Sequence, residues 1–425
     1  MKSIIGFFFL ILSILFTLSI FDVPDYYQGE EMKVLNTSDD GNEIILPVGR
    51  WPHGLFVADL NNDSYNDIVT SNEDHDNLSI YLWDDSINNW GSEIKKKVGS
   101  SPYDVCVGDV NNDGFNDIIA ADFGDSNISI YLWNNSINDW DPEIKIYIGS
   151  STRPWRLFIG DANNDGFNDI AVADNAQDVI SFIFWNDLNK QWDPVLQKAV
   201  DTMHYCIAIG DANNDGLNDF VSGNLWETNV SIYIWDDSSE DWLPKEEVVT
   251  GAGPAEIVID DVNHDGYNDI ITVNRLNASA SILLWNNTSN YWDPEIRLNV
   301  GEEPICVFAG DINNDGYEDI ASANASNNTI SIFLWNMTTT SWESEIRKET
   351  GNRPSEVFVA DADNDGDNDI IVSNTNSHNI LIILWPWTSP DSTTPTIWGY
   401  DSFLLIAILL GISAFLLKFK KKNKF

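Results

Sequence analysis

Asp109-Val110-Asn111-Asn112-Asp113-Gly114-Phe115-Asn116-Asp117 places oxygen-bearing side chains at positions one, three, five and nine of a nine-residue stretch. Gly114, at position six, permits a sharp turn. The carbonyl of Phe115 at position seven adds a fifth oxygen. Clustered hard oxygens with high negative charge suit calcium, which takes about six to eight such ligands. The absence of nitrogen and sulfur donors argues against zinc or copper. An EF-hand would need a Glu at position twelve and flanking helices. Thr70, Ala120 and Val172 stand there in the first three copies, between strand-forming runs.

The stretch occurs seven times. The first copy offers Asp59, Asn61, Asp63, Tyr65 and Asp67, and the second Asp109, Asn111, Asp113, Phe115 and Asp117. The third has Asp161, Asn163, Asp165, Phe167 and Asp169; the fourth has Asp211, Asn213, Asp215, Leu217 and Asp219. Asp261, Asn263, Asp265, Tyr267 and Asp269 form the fifth, and Asp311, Asn313, Asp315, Tyr317 and Asp319 the sixth. The seventh carries the most charge, with Asp361, Asp363, Asp365, Asp367 and Asp369. Up to seven Ca2+ ions are therefore expected. Ser64 replaces glycine in the first loop, which implies a strained or differently shaped turn, and His264 in the fifth is expected to face solvent.

Successive loops lie 50 residues apart, with a single step of 52. Each interval holds four short apolar runs between turn clusters, such as Asp117–Ala121, Ile128–Trp133 and Glu143–Ile148. A period of about 50 residues built from four strands reads as a propeller blade. Runs such as Ser331-Ile332-Phe333-Leu334-Trp335 are apolar on both faces, so blades must cover them on both sides. Trp83, Trp133, Trp185, Trp235, Trp285, Trp335 and Trp385 recur at one position and read as wedges between blades. A second series (Trp90, Trp140, Trp192, Trp242, Trp292 and Trp342) reads as outer-edge packing. After Trp385 no fourth strand follows, whereas Asn42–Gly49 matches the fourth strands elsewhere. The reading is all-β: a seven-bladed β-propeller whose N-terminal strand closes the last blade.

On these residues the repeats resemble FG-GAP/VCBS-type repeats, the blades of integrin α-chain propellers and of many secreted microbial proteins. The resemblance rests on Asp-x-Asn-x-Asp-Gly-x-x-Asp followed by Ile or Phe, and covers about residues 41–388. It implies calcium in the loop between the first two strands of each blade. The literal Gly-Ala-Pro element is missing.

Both ends are apolar. Residues 1–21 read as a signal peptide or an uncleaved signal anchor, with Lys2 before the apolar run. A Ser/Thr/Pro linker, residues 389–397, leads to an expected transmembrane helix over 398–417 and a basic tail over 418–425. Basic residues stay cytoplasmic, so the intervening propeller, 41–388, is expected outside the cell, anchored through terminal membrane helices. The formal charge of −45 makes nucleic acid a poor partner, and seven calcium ions would bring it only to −31.

Cys106, Cys206 and Cys306, an odd number, read as buried hydrophobes without disulfides. Sequons at Asn36, Asn77, Asn127, Asn134, Asn229, Asn277 and Asn336 permit N-glycosylation. The connections opposite the calcium loops vary between copies and gather most of the histidines and many arginines. Arg153, Trp155, Arg156, His204 and Tyr205, entering adjacent blades, are the expected ligand-binding set. The expected function is a calcium-stabilised surface binding or adhesion module for a glycan or protein ligand. The alternatives are a polysaccharide lyase or hydrolase, with His204 as proton-transfer group, and a structural envelope protein.

Overall fold

β-branched and aliphatic runs separated by Asp/Asn/Ser/Gly turns fold as antiparallel strands, because branched side chains pack well on a pleated surface. The computed structural model describes residues 35–36, 42–200 and 204–387. Six four-stranded sheets and one five-stranded sheet make up seven blades. In the first, the strands from axis to rim are Pro52–Ala58, Asp67–Asn72, Asn77–Tyr81 and Ile94–Lys97. The seven innermost strands pack side by side in a closed ring, with Pro354–Ala360 against Pro52–Ala58.

Every second strand is buried along its whole length, as in Asp117–Asp122. Each blade is thus covered on both faces. Buried apolar residues form one cluster per seam. The seam between the first two blades packs Val69, Leu78 and Ile80 against Val105, Val107, Trp133 and Trp140. The first tryptophan of each blade is the expected wedge, and it meets the second edge-on, at 5.0 Å for Trp133 and Trp140. A two-residue ladder, Trp133–Asn134 against Asp139–Trp140, aligns the pair. Among the described residues the seventh blade has no such hairpin, and Trp387 takes the place of the second tryptophan against Trp385.

Closure follows the sequence reading. Glu43–Pro47 pairs antiparallel with Asn379–Ile383 as the outer strand of blade seven. Leu35–Asn36 adds a further short strand outside it, which the sequence reading did not include. Side chains also bridge the closing seam: Ser373 Oγ donates to the His53 carbonyl at 2.7 Å, and the Tyr81 hydroxyl donates to the Pro47 carbonyl.

Among the described residues no helix is long and apolar enough to cross a membrane. The expected signal segment, linker, transmembrane helix and basic tail lie outside the described residues.

Candidate functional site

The seven loops share one internal architecture. In the second, Asp109 accepts the backbone N–H groups of Asp113 (2.9 Å) and Gly114 (2.8 Å). Asp117, at position nine, is fully buried, and its two oxygens accept N–H groups from Val110 (3.1 Å) and Trp133 (2.8 Å). Position nine therefore pins the loop to the start of the outer hairpin besides facing the acidic cluster. Burial pushes its carboxyl up to about 7, against the two backbone hydrogen bonds.

Ser64 does not reshape the first loop. It adopts φ 75°, and its N–H reaches Asp59 Oδ2 at 2.8 Å as the glycines do elsewhere. A serine in this left-handed region carries strain that glycine escapes.

Positions four and eight, unassigned by the sequence reading, tie neighbouring loops together. Asn168 reaches into the preceding loop: its N–H donates to Asn112 Oδ1 at 2.9 Å, its amide donates to the Asp109 carbonyl at 2.9 Å, and its carbonyl accepts the Asn112 amide at 3.2 Å. The same pattern crosses the closing seam from Asn66 to Asn364 and Asp361. His264, expected in solvent, occupies this belt instead, because its Nε2 accepts the Glu318 N–H at 2.6 Å.

The loops differ at position three. In the first six it is an asparagine, and its amide donates to the position-five carboxylate, as Asn213 does to Asp215 at 2.9 Å. In the seventh, Asp363 has no such donor. Oxygens of Asp361, Asp363 and Asp369 lie within 4.8 Å of one another. Asp361 Oδ1 and Asp363 Oδ1 are buried without a hydrogen-bond partner. Burial, followed by Asp365 and Asp361, pushes Asp363 up to about 6. This converging set, with two of its oxygens unsatisfied, fits a hard divalent cation, which would also ionise the carboxyls.

The opposite face is organised around the axis. Each innermost strand carries a bulge, between Pro154 and Arg156 in the third blade. The residues five places before each loop form a ring of Gly54, Asp104, Arg156, Cys206, Glu256, Cys306 and Glu356. Arg156, expected on the rim, is buried here. It reaches Glu356 at 2.7 Å, Glu256 at 2.8 Å and Asp104 at 3.5 Å. Burial pushes the Asp104 and Glu256 carboxyls up, against the pull of Arg156. Cys306 Sγ donates to Glu356 Oε1 at 3.0 Å, while all three cysteines are free thiols. The acids of this ring were missed, although reading down the column five residues before each loop would have shown them.

Above the ring, His53, Tyr103 and Trp155 stack in sequence, and Tyr205 meets Trp155 at a tilt, round half the axial mouth. Their centroids are 4.1, 3.5 and 4.9 Å apart. The face of Trp155 towards Tyr103 is therefore already covered. Trp155, Arg156 and Tyr205 border one cavity barely large enough for a water molecule. Arg153 stays outside, exposed, with its guanidinium 5.2 Å from the Phe123 ring. Across the mouth Arg275 and Arg353 share Glu303, and Arg275 donates to the Tyr205 hydroxyl at 2.9 Å. Burial would raise Glu303, but hydrogen bonds from Ser326 and both arginines bring it down to about 2. The backbone of His204 begins the innermost strand of blade four; its side chain lies outside the described residues.

The FG-GAP-like repeat family matches residues 59–120, 109–172, 261–322 and 311–372, each match spanning two successive loops and together covering over half the chain. The chain belongs to the FG-GAP-like repeat family. No curated protein matches it. Among solved structures, this FG-GAP-like propeller is similar to BBS1N in its complex with ARL6DN. That match has 12% identity and a TM-score of 0.56, and covers 81% of this chain and 98% of the other. It is also similar to Kuenenia stuttgartiensis hydrazine synthase, with 15% identity, a TM-score of 0.54, and 84% and 99% of the two chains covered. A Lactobacillus plantarum protein matches with 11% identity, a TM-score of 0.53, and 72% and 86% covered. At these identities the likeness is one of fold.

Proposed function

We propose that this FG-GAP-like propeller is a calcium-stabilised binding module of the cell surface, taking a glycan or protein ligand on the face opposite its acidic loops. The observation that carries this reading is the exposed Arg153 lying on Phe123 beside the stacked Trp155, at the mouth of a rigid ring. Arginine beside aromatic rings is the mixture that binding hot spots favour. A protein ligand gains support from BBS1N, a propeller of similar fold solved with a protein partner. The surface location rests on the two apolar ends with their flanking charges.

Calcium's role rests on the seventh loop above all. Its three converging carboxylates would hold the ion, whose chemistry here is cross-linking of loop oxygens. Calcium should raise the melting temperature by mass action, and Asp363→Asn should reduce that gain. An unchanged melting temperature between chelator and millimolar calcium would remove calcium from this account.

The ligand is tested by exposing the calcium-loaded protein to a panel of acidic and neutral polysaccharides and to surface-protein extracts. Retention and the release of new sugar ends are followed together. Retention lost in Arg153→Ala, with no turnover, supports binding. Turnover would instead establish an enzyme. Retention unaffected by Arg153→Ala and Phe123→Ala would move the ligand away from this mouth.

A further inference from the structure

On the loop side of blade one the outer hairpin departs from its neighbours. In blade two, Asn134 at the start of the hairpin donates to Asp141 at its end, at 2.9 Å. The same clasp joins Asn186 to Asp193, Asn286 to Asp293 and Asn336 to Glu343. In blade one the corresponding residues are Asp84 and Gly91, which cannot form it. An open groove of about 420 Å3 lies there, between the hairpin and the first loop. Leu82, Gly91 and Ile94 are among its lining, and Tyr65 of the first loop lies against Asp85. Asp84 and Asp85 are exposed and line it; Asp84 Oδ1 accepts the Ser86 N–H (3.0 Å) and hydroxyl (2.6 Å), and among the described residues neither acid has a lysine or arginine within ion-pair distance. Lys95, the nearest lysine in sequence, is paired with Glu93 at 3.2 Å. Blade four also lacks the clasp, but Leu243 stands where Gly91 does.

We infer that this groove docks a lysine- or arginine-bearing segment of a partner protein, the aliphatic stem lying along Leu82 and Ile94 and the cationic head meeting Asp84 and Asp85. The argument is charge complementarity joined to shape. Long basic side chains bury their methylene stems along apolar surface while keeping the charged head at a polar rim. The groove offers both at once, in a protein whose net charge of −45 attracts basic segments from a distance. Asp63 of the first loop borders the same groove. The site is separate from cation binding because its two carrying acids belong to the hairpin.

The test is titration of the full chain with a pentalysine peptide at about 0.15 M salt, where the field of distant charges is largely screened. The decisive variant is Asp84→Asn with Gly91→Asp, which rebuilds the clasp of blade two without changing net charge. A Cβ at position 91 would meet only the Leu82 carbonyl at an ordinary 3.4 Å, so the fold accepts it. Affinity should fall about tenfold or more in this variant, and in Asp85→Asn, with unchanged melting temperature. Asp236→Asn, the corresponding acid of blade four, should leave affinity as it was. Wild-type affinity in the clasp variant, or equal loss in Asp236→Asn, would reduce the effect to general charge and overturn the inference. Binding seen only in chelator would also overturn it, since the peptide would then be filling a cation loop.

Discussion

Arg156 of the third blade meets Glu356 of the seventh at 2.7 Å, though the two stand 200 residues apart in the chain. The same guanidinium also meets Glu256 and Asp104, so one cation serves three carboxyl groups, Asp104 buried and the two glutamates largely so, drawn from three other blades. Removing one partner from a buried ion cluster leaves uncompensated charge and costs about 3–5 kcal/mol. Arg156→Met should therefore lower the melting temperature strongly at pH 7. Part of the loss should return at lower pH, where the acids take up protons. A variant that melts like the parent would show that the axial cluster contributes nothing to stability.

The axis also sets a pH dependence. Burial raises the Glu256 carboxyl in the folded chain, with Glu356 and Asp104 adding to the effect and Arg156 opposing it. A raised acid is held protonated by the fold after the unfolded chain has released its proton. Its contribution to stability is thus full below the unfolded value and falls as pH rises towards the folded one. At saturating calcium, stability should decline between about pH 5 and pH 8. Glu256→Gln should flatten that decline, as read from denaturant midpoints across the range.

Ser64 holds a left-handed conformation that six glycines hold in the sister loops, at φ 75° against 88° to 100°. Ser64→Gly relieves that strain but gives the unfolded chain more freedom. The net expectation is a gain of about 1 kcal/mol. A loss of stability would mean that the serine side chain makes a compensating contact.

Removing residues 42–47 from the full chain deletes the strand that pairs with Asn379–Ile383. It also takes away Leu46, wholly buried at the closing seam, and exposes an unpaired edge. The shortened protein should melt lower and self-associate, as read by light scattering. Unchanged melting and a single monomeric species would show that closure does not need this strand.

Repetition made most of the fold legible. The 50-residue period set the blade count, the tryptophan columns marked the seams, and the unmatched strand at Asn42–Gly49 announced the closure. The loop oxygens were equally plain, because their spacing is local and a nine-residue turn needs no distant partner to form. What lay beyond reach were contacts between residues that share a column rather than a neighbourhood. Arg156 follows Trp155 in a polar connection and reads as a rim residue. Only the bulge in the innermost strand and the closing of the ring turn it inward, onto acids 52, 100 and 200 residues away. His264 likewise reads as a solvent-facing substitution until the next blade brings the Glu318 N–H to it. The blade-one groove is visible only against the clasps of the other blades. Local spacing dictates turns, strands and ligand oxygens because those forces act over a few residues. Pairing across the axis is decided by ring closure, which sets residues from distant blades side by side with no trace in their local sequence.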